Sequence, residues 1–81
     1  MIHLQIYENA RKIWWKDGLC HRLNGPAVVF LTGYRAWWYR GLLHRTDGPA
    51  RILEDGQVEY WINDKHVTEY EVMFLNGIMY D

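Results

Sequence analysis

Residues 21–27 read HRLNGPA and residues 44–50 read HRTDGPA, so one phrase occurs twice in a chain of 81 residues. The first two and the last three letters are fixed, and only the two middle letters change. A doubled His-Arg suggests a doubled active site, whereas a doubled Gly-Pro-Ala suggests a doubled turn. Asn-Gly and Asp-Gly are turn dipeptides, and proline is tolerated where a strand begins. The phrase therefore predicts a loop that returns the chain from one strand to the next.

The phrase belongs to a longer repeat with a period of 23 residues. The aromatic pair Trp14-Trp15 matches Trp37-Trp38, and Tyr60-Trp61 follows at the same interval. A register kept over so many positions indicates a true internal repeat. The repeat units span about 10–32, 33–55 and 56–67, and the third is partial because no third GPA follows it.

Short runs of strand-forming residues within each unit predict β-structure. Residues 28–31 and 51–53 form one set, and residues 35–39 and 58–62 form a second, aromatic set. Asp55-Gly56 between two such runs is a strong hairpin signal, because glycine adopts a positive φ without a Cβ penalty. The predicted fold is mostly β, with successive antiparallel hairpins that form a twisted meander sheet.

The two ends of the chain differ from the repeat. Residues 2–7 alternate apolar and polar side chains, which predicts an opening strand. Thr68 and Glu71 form a capping box, in which Thr68 accepts from a helical N–H and Glu71 reaches back. The prediction is a short helix over 68–77 that ends near Asn76-Gly77. Its apolar side chains are expected to cover the open end of the sheet, and they are Val72, Met73, Phe74 and Leu75.

The aromatic pair, the glycine three residues later and the HRxxGPA phrase resemble the MORN repeat family. The closer likeness is to a divergent MORN-like class of small bacterial and bacteriophage proteins, and it covers roughly residues 10–67. The usual MORN unit has its glycine closer behind its histidine, whereas Gly25 and Gly48 lie four residues after His21 and His44. The resemblance implies hairpins in an elongated antiparallel sheet. It also implies scaffolds that bind proteins and sometimes lipids.

Composition disfavours several functions. The net charge of −1 gives no electrostatic case for binding nucleic acid, and no apolar run approaches the roughly 18 residues of a membrane helix. The single cysteine, Cys20, rules out an intramolecular disulfide and favours a reducing compartment. The first ten residues lack the pattern of a secretory signal. We expect a cytoplasmic location, in the host cytoplasm if the protein is phage-encoded, with no cofactor.

Aromatic residues make up 16% of the chain, which is more than a small domain easily buries. Strand neighbours point to opposite faces of a sheet, so the repeat predicts two aromatic ladders. They are Trp14, Trp37 and Tyr60 on one face and Trp15, Trp38 and Trp61 on the other. Either one ladder is core and the other is covered by the helix and the curl of the sheet, or one lines a binding surface. Such a surface would be flanked by Arg35, Tyr39 and Arg40.

The repeated His-Arg pairs are the best candidates for chemistry. One interpretation is a catalytic or anion-binding pair, and the other is that His and Arg brace the return loop by bonding carbonyls or an aspartate such as Asp17 or Asp47. Recurrence at the repeat period favours bracing, because a catalytic site is normally built once from unlike residues. Arg22 and Arg45 remain the best candidates for an anionic ligand.

Metal binding and covalent catalysis receive little support. Four residues are of types that bind metals, but their spacing lacks the close pairs of a structural zinc site. They are Cys20, His21, His44 and His66. Leu43 occupies the position of Cys20 in the next unit, so that position is interpreted as structural. We predict no metal site, and we predict that the protein is not an enzyme.

The sequence thus predicts a non-catalytic binding module. The first hypothesis is protein–protein interaction through an aromatic sheet face, with a host factor or with a second copy that hides the open strand edges. The alternative is sequestration of a small anionic ligand such as a nucleotide at a repeat or dimer interface. Aromatic rings would stack on the base, and the phosphate would be held by Arg22, Arg45, Arg35 or Arg40. Lipid-surface binding rests on the MORN resemblance alone and ranks third.

Overall fold

The computed structural model describes residues 1–80, with side chains described as far as Leu75. Among these residues the chain forms ten strands followed by one helix. The strands are β1 (Ile2–Ile6), β2 (Lys12–Lys16), β3 (Leu19–Cys20), β4 (Val28–Val29), β5 (Arg35–Ala36), β6 (Trp38–Tyr39), β7 (Leu42–Leu43), β8 (Arg51–Ile52), β9 (Val58–Ile62) and β10 (Lys65–Val67), and the helix is α1 (Glu69–Tyr80).

The strands pair in chain order, and every pairing is antiparallel. The main sheet has the order β1-β2-β4-β5-β8-β9-β10, with β3 paired to β2, and β6 and β7 form a separate two-stranded sheet. This arrangement confirms the prediction of a mostly β fold built from successive antiparallel hairpins with a short C-terminal helix.

The 23-residue period is also a period of the backbone hydrogen bonds. His21 N–H donates to the Trp14 carbonyl oxygen at 2.9 Å, and His44 N–H donates to that of Trp37 at 3.0 Å. The same repetition holds for Trp14 N–H to Ala27 and Trp37 N–H to Ala50, and for Arg22 N–H to Trp38 and Arg45 N–H to Trp61. Residues one period apart therefore occupy equivalent places in the fold.

A two-residue turn closes one hairpin within each unit. Lys16 pairs with Leu19 across Asp17-Gly18, and Tyr39 pairs with Leu42 across Arg40-Gly41. Both central residues of each turn have positive φ, which a type I′ turn requires. The third hairpin turns at Asn63-Asp64 with φ of 48° and 69°, so it adopts the same backbone without glycine.

The core is thin and built partly from alanines. Its buried cluster consists of Val28, Ala36, Leu43 and Ala50. Six half-buried side chains pack against this cluster, namely Ile13, Cys20, Phe30, Tyr34, Trp38 and Trp61. Two members of the second aromatic ladder, Trp38 and Trp61, thus lie on the core, which shows which ladder belongs to it.

Among the described side chains of the helix, Val72 alone is buried. Thr68 Oγ1 accepts from Glu71 N–H at 3.2 Å, which confirms the predicted cap; the reciprocal contact of the Glu71 side chain is absent from the described residues. The predicted apolar cover is wrong in its extent, because Val72 is buried whereas Met73 and Phe74 are 63% and 60% exposed.

The boundaries of α1 also differ from the predicted helix over 68–77. The helix bounds extend beyond the predicted end at Asn76-Gly77, and the side chains of that pair lie outside those described. Within the described part of the chain, no helix has the length and apolar character needed to cross a membrane.

Candidate functional site

The first return loop, residues 21–27, is held by an arginine that lies between an aromatic ring and a glycine. The Arg22 guanidinium carbon is 3.8 Å from the centre of the Trp14 ring, which is a cation–π contact. Its Nη1 donates to the Pro26 carbonyl oxygen at 3.1 Å. A Cβ placed on Gly25 would lie 3.2 Å from the same guanidinium carbon, so glycine at this position leaves room for the arginine.

The second return loop, residues 44–50, repeats this geometry and adds an ion pair. Arg45 lies 4.0 Å above the Trp37 ring and donates from Nη1 to the Pro49 carbonyl oxygen at 3.0 Å. Its Nε also donates to Asp47 Oδ1 at 2.8 Å. The prediction that arginine braces the loop through a carbonyl or an aspartate is confirmed in both loops.

Each histidine of the phrase joins two repeat units. His21 Nδ1 accepts the backbone N–H of Arg40 at 2.9 Å, and the Cys20 carbonyl oxygen accepts that of Gly41 at 2.9 Å. The central amides of a two-residue turn are not used by their own hairpin, so they need outside acceptors. One period later the same pair of bonds joins His44 to Asn63 and Leu43 to Asp64.

The histidine prediction needs a correction. We expected histidine to bond carbonyl oxygens or an aspartate, as a donor, whereas His21 and His44 accept backbone N–H groups through Nδ1. An accepting nitrogen carries no proton, and both rings are held in the neutral form. Burial lowers the pKa of His21, and the charges of Lys16 and Arg40 lower it further. Burial also lowers the pKa of His44.

The remaining perturbed groups also have structural explanations. Burial raises the pKa of the Cys20 thiol to about 11, so the thiol stays protonated at neutral pH and is a poor nucleophile. The hydrogen bond from Arg45 lowers the pKa of Asp47, although burial acts in the opposite direction. Among the described residues, no group of three or more His, Cys, Asp or Glu side chains is placed to hold a metal ion.

The two return loops enclose an open groove of about 630 Å³. This inter-loop groove is lined by Arg22, Leu23, Asn24, Gly25, Trp37, Tyr39, His44, Arg45, Thr46 and Asp47. The Tyr39 ring lies between the two histidines, with its centre 4.9 Å from that of His21 and 6.3 Å from that of His44. The groove therefore combines cationic, aromatic and turn groups from consecutive repeats.

The structure gathers four of the ten predicted binding residues in this groove and separates the other six. Those in the groove are Arg22, Trp37, Tyr39 and Arg45. Trp14 lies beneath Arg22, and Trp38 and Trp61 pack on the core. Trp15 is half-buried opposite Cys20 in the β2–β3 pair. Arg35 is exposed on β5, and Arg40 lines a smaller cavity beside His21.

Sequence reasoning missed the variable letters of the phrase as groove residues. Leu23-Asn24 and Thr46-Asp47 both line the groove, whereas only the fixed arginines of the phrase were predicted to bind a ligand. The available signal was their variation at the same place in two otherwise matched loops.

No protein-family model matches the chain, and neither does any curated protein or solved structure.

We expect the free energy of unfolding to fall as the pH is lowered from about 8 to about 5.5. The folded-state pKa values of His21 and His44 lie below the ordinary value of 6.5. The unfolded chain therefore takes up protons first, and the stability present above about pH 6.5 is lost below it. Urea unfolding at several pH values measures this loss. His21→Gln should reduce the pH dependence, and the control His3→Gln on β1 should retain it; a flat profile for the parent protein contradicts the argument.

We expect Gly48→Ala to destabilise the fold by about 1–3 kcal/mol. The added Cβ would lie 2.8 Å from the Arg45 guanidinium carbon, so the arginine must leave the Trp37 ring or the Pro49 carbonyl oxygen. A double-mutant cycle with Arg45→Ala, read by urea unfolding, should give a coupling of about 1 kcal/mol. An equal penalty for Gly48→Ala with and without Arg45 would show that the glycine serves another purpose.

Proposed function

We propose that this chain is a non-catalytic binding module whose inter-loop groove holds a small anionic ligand such as a nucleotide. The observation that carries the proposal is the placement of Arg22 and Arg45 with Trp37 and Tyr39 around one groove. Its volume of about 630 Å³ falls in the range of roughly 300–1,000 Å³ typical of small-molecule sites.

The chemistry of the lining supports an anion with an aromatic part. A guanidinium presents a planar set of N–H donors that matches the oxygens of phosphate or carboxylate. Tyr39 is 36% exposed, and an exposed ring provides a surface on which a base can stack. The non-catalytic role is supported by His21 and His44, whose Nδ1 atoms already accept backbone N–H groups.

Membership of the MORN-like class remains a prediction, supported by the 23-residue period of the hairpin contacts. A phage or bacterial origin and a cytoplasmic location are likewise part of the proposal. In that setting the protein would act by removing a small anionic molecule from solution or by occupying a host factor.

We expect adenosine monophosphate to raise the melting temperature of the protein. Ligand at about ten times its dissociation constant adds about 1.4 kcal/mol to the stability of the native state. For a domain of this size each 1 kcal/mol shifts the melting temperature by roughly 4–8 °C. Adenosine and inorganic phosphate serve as controls that separate stacking from charge. Unchanged melting with adenosine monophosphate and other nucleotides at millimolar concentration contradicts ligand sequestration.

Binding of a protein partner is the second candidate function. The surface that favours it is an exposed apolar face of the helix and not an aromatic face of the sheet. Both aromatic ladders are at least half-buried, with Trp14 and Trp37 lying under arginines. On α1, in contrast, Tyr70, Met73 and Phe74 share one face at helical spacing. They are 76%, 63% and 60% exposed. Contiguous exposed apolar side chains mark interaction surfaces.

The occupant proposed for this helix face is a second copy of the chain, since the open edge strand β1 is also exposed along its whole length. We expect sedimentation to show concentration-dependent dimerisation at micromolar protein. Met73→Glu should shift the protein to monomer without loss of fold, because Met73 does not enter the core. The matched control, Glu69→Gln, changes charge on the same helix and should leave the dimer intact. A parent protein that is monomeric at all concentrations rules out this candidate.

A further inference from the structure

The two return loops differ in charge at their fourth position. Asn24 in the first loop corresponds to Asp47 in the second, and both line the inter-loop groove. Asp47 accepts from Arg45 Nε at 2.8 Å. In the part of the chain that the structure describes, ion pairs are formed by Arg45 and Arg51 only, so Arg22 has no carboxylate partner there.

The guanidinium of Arg22 keeps donors that its loop does not use. Its carbon lies 3.8 Å from the centre of the Trp14 ring, and a Cβ placed on Gly25 would lie 3.2 Å from the same carbon. Its Nη1 is bonded to the Pro26 carbonyl oxygen. The donors that remain, including Nε, lie in the guanidinium plane, which suits a planar or tetrahedral oxyanion that binds edge-on.

The second loop shows how such an anion is bound. Arg45 contacts the equivalent groups one period later, namely the Trp37 ring, Gly48 and the Pro49 carbonyl oxygen. In addition, the Asp47 carboxylate occupies its Nε edge. Asp47 thus stands where a ligand oxyanion would stand in the first loop, and the same arrangement includes a carboxylate in the second loop and an amide side chain, Asn24, in the first.

We propose that the inter-loop groove binds a carboxylate or phosphate group at Arg22, and that Asp47 makes Arg45 unavailable to it. The inference rests on the proposed ligand-binding function of the groove and names the arginine and the anion class. Arg22 and Arg45 contribute two positive charges and Asp47 one negative charge, while His44 is neutral. The groove therefore carries one net positive charge, which lies at Arg22. The two arginines are equivalent in structure but not in binding.

The repeat provides variants that exchange the chemistry of the two loops. Asn24→Asp gives the first loop the charge of the second, and Asp47→Asn does the reverse. Each product then differs from the other loop of the chain only at its third letter, Leu23 against Thr46, and retained urea midpoints and tryptophan fluorescence would verify that it folds. Calorimetric titration uses adenosine monophosphate and benzoate as phosphate and carboxylate probes. Adenosine and benzamide are the neutral counterparts.

We expect Asn24→Asp to weaken binding of the charged probes by about tenfold or more, because its carboxylate would take the Nε edge of Arg22. Asp47→Asn should strengthen binding by about fivefold or more, because a second arginine becomes available. Stronger binding of adenosine monophosphate than of benzoate would assign the site to phosphate, and the reverse order would assign it to carboxylate.

Each result decides between the two levels of the proposal. A parent protein that binds neither charged probe at millimolar concentration overturns both the groove function and the role of Arg22. Binding by the parent that Asn24→Asp leaves unchanged overturns the assignment to Arg22 and keeps the groove function. Arg22→Lys and Arg45→Lys provide an independent check, since only the first should lose affinity.

Discussion

The hydrogen bond from the tip of each later hairpin to a histidine of the preceding unit is the constraint on which this fold depends. A two-residue turn leaves its central amides without partners in its own hairpin. His21 Nδ1 and the Cys20 carbonyl oxygen accept the two amides of the Arg40-Gly41 turn. This arrangement explains why three hairpins need only two HRxxGPA phrases. Each phrase serves the hairpin that follows it, so the last unit needs none and Val67 stands where a histidine would be.

A thin core makes these polar contacts more important than they are in a larger domain. The buried hydrophobic side chains among the described residues include three alanines, Ala27, Ala36 and Ala50, which bury little apolar area. A buried acceptor that loses its donor costs about 1–3 kcal/mol, a large share of the 5–15 kcal/mol that stabilises a typical domain. His21, only 2% exposed, therefore fixes the register between units and penalises any slip of one hairpin along the next.

The period, the turn dipeptides and the strand alternation predicted the hairpins and the return loops, because each is a local signal repeated at matching positions. Three features could not be predicted from such local signals. The left-handed backbone of Arg40 directs its amide toward His21, and arginine carries no signal for positive φ. Alternation placed the ladders on opposite faces without indicating which is core. The helix was expected to dock through several apolar residues, yet Val72 alone is buried among its side chains up to Leu75, because docking depends on how closely the last hairpin approaches.

The division between fixed and variable letters also separates what builds the fold from what lines the groove. In HRxxGPA, histidine joins units, arginine closes the loop on the proline carbonyl oxygen, glycine leaves room for the guanidinium and alanine is buried. Those five positions are committed to the backbone, so substitution at any of them disturbs the repeat. The variable positions, Leu23-Asn24 and Thr46-Asp47, share no such structural role in the two loops, and they line the groove. Symmetry at the fixed positions makes the two loops alike, and asymmetry at the variable positions is the means by which a repeated structure presents one particular charge at one particular arginine.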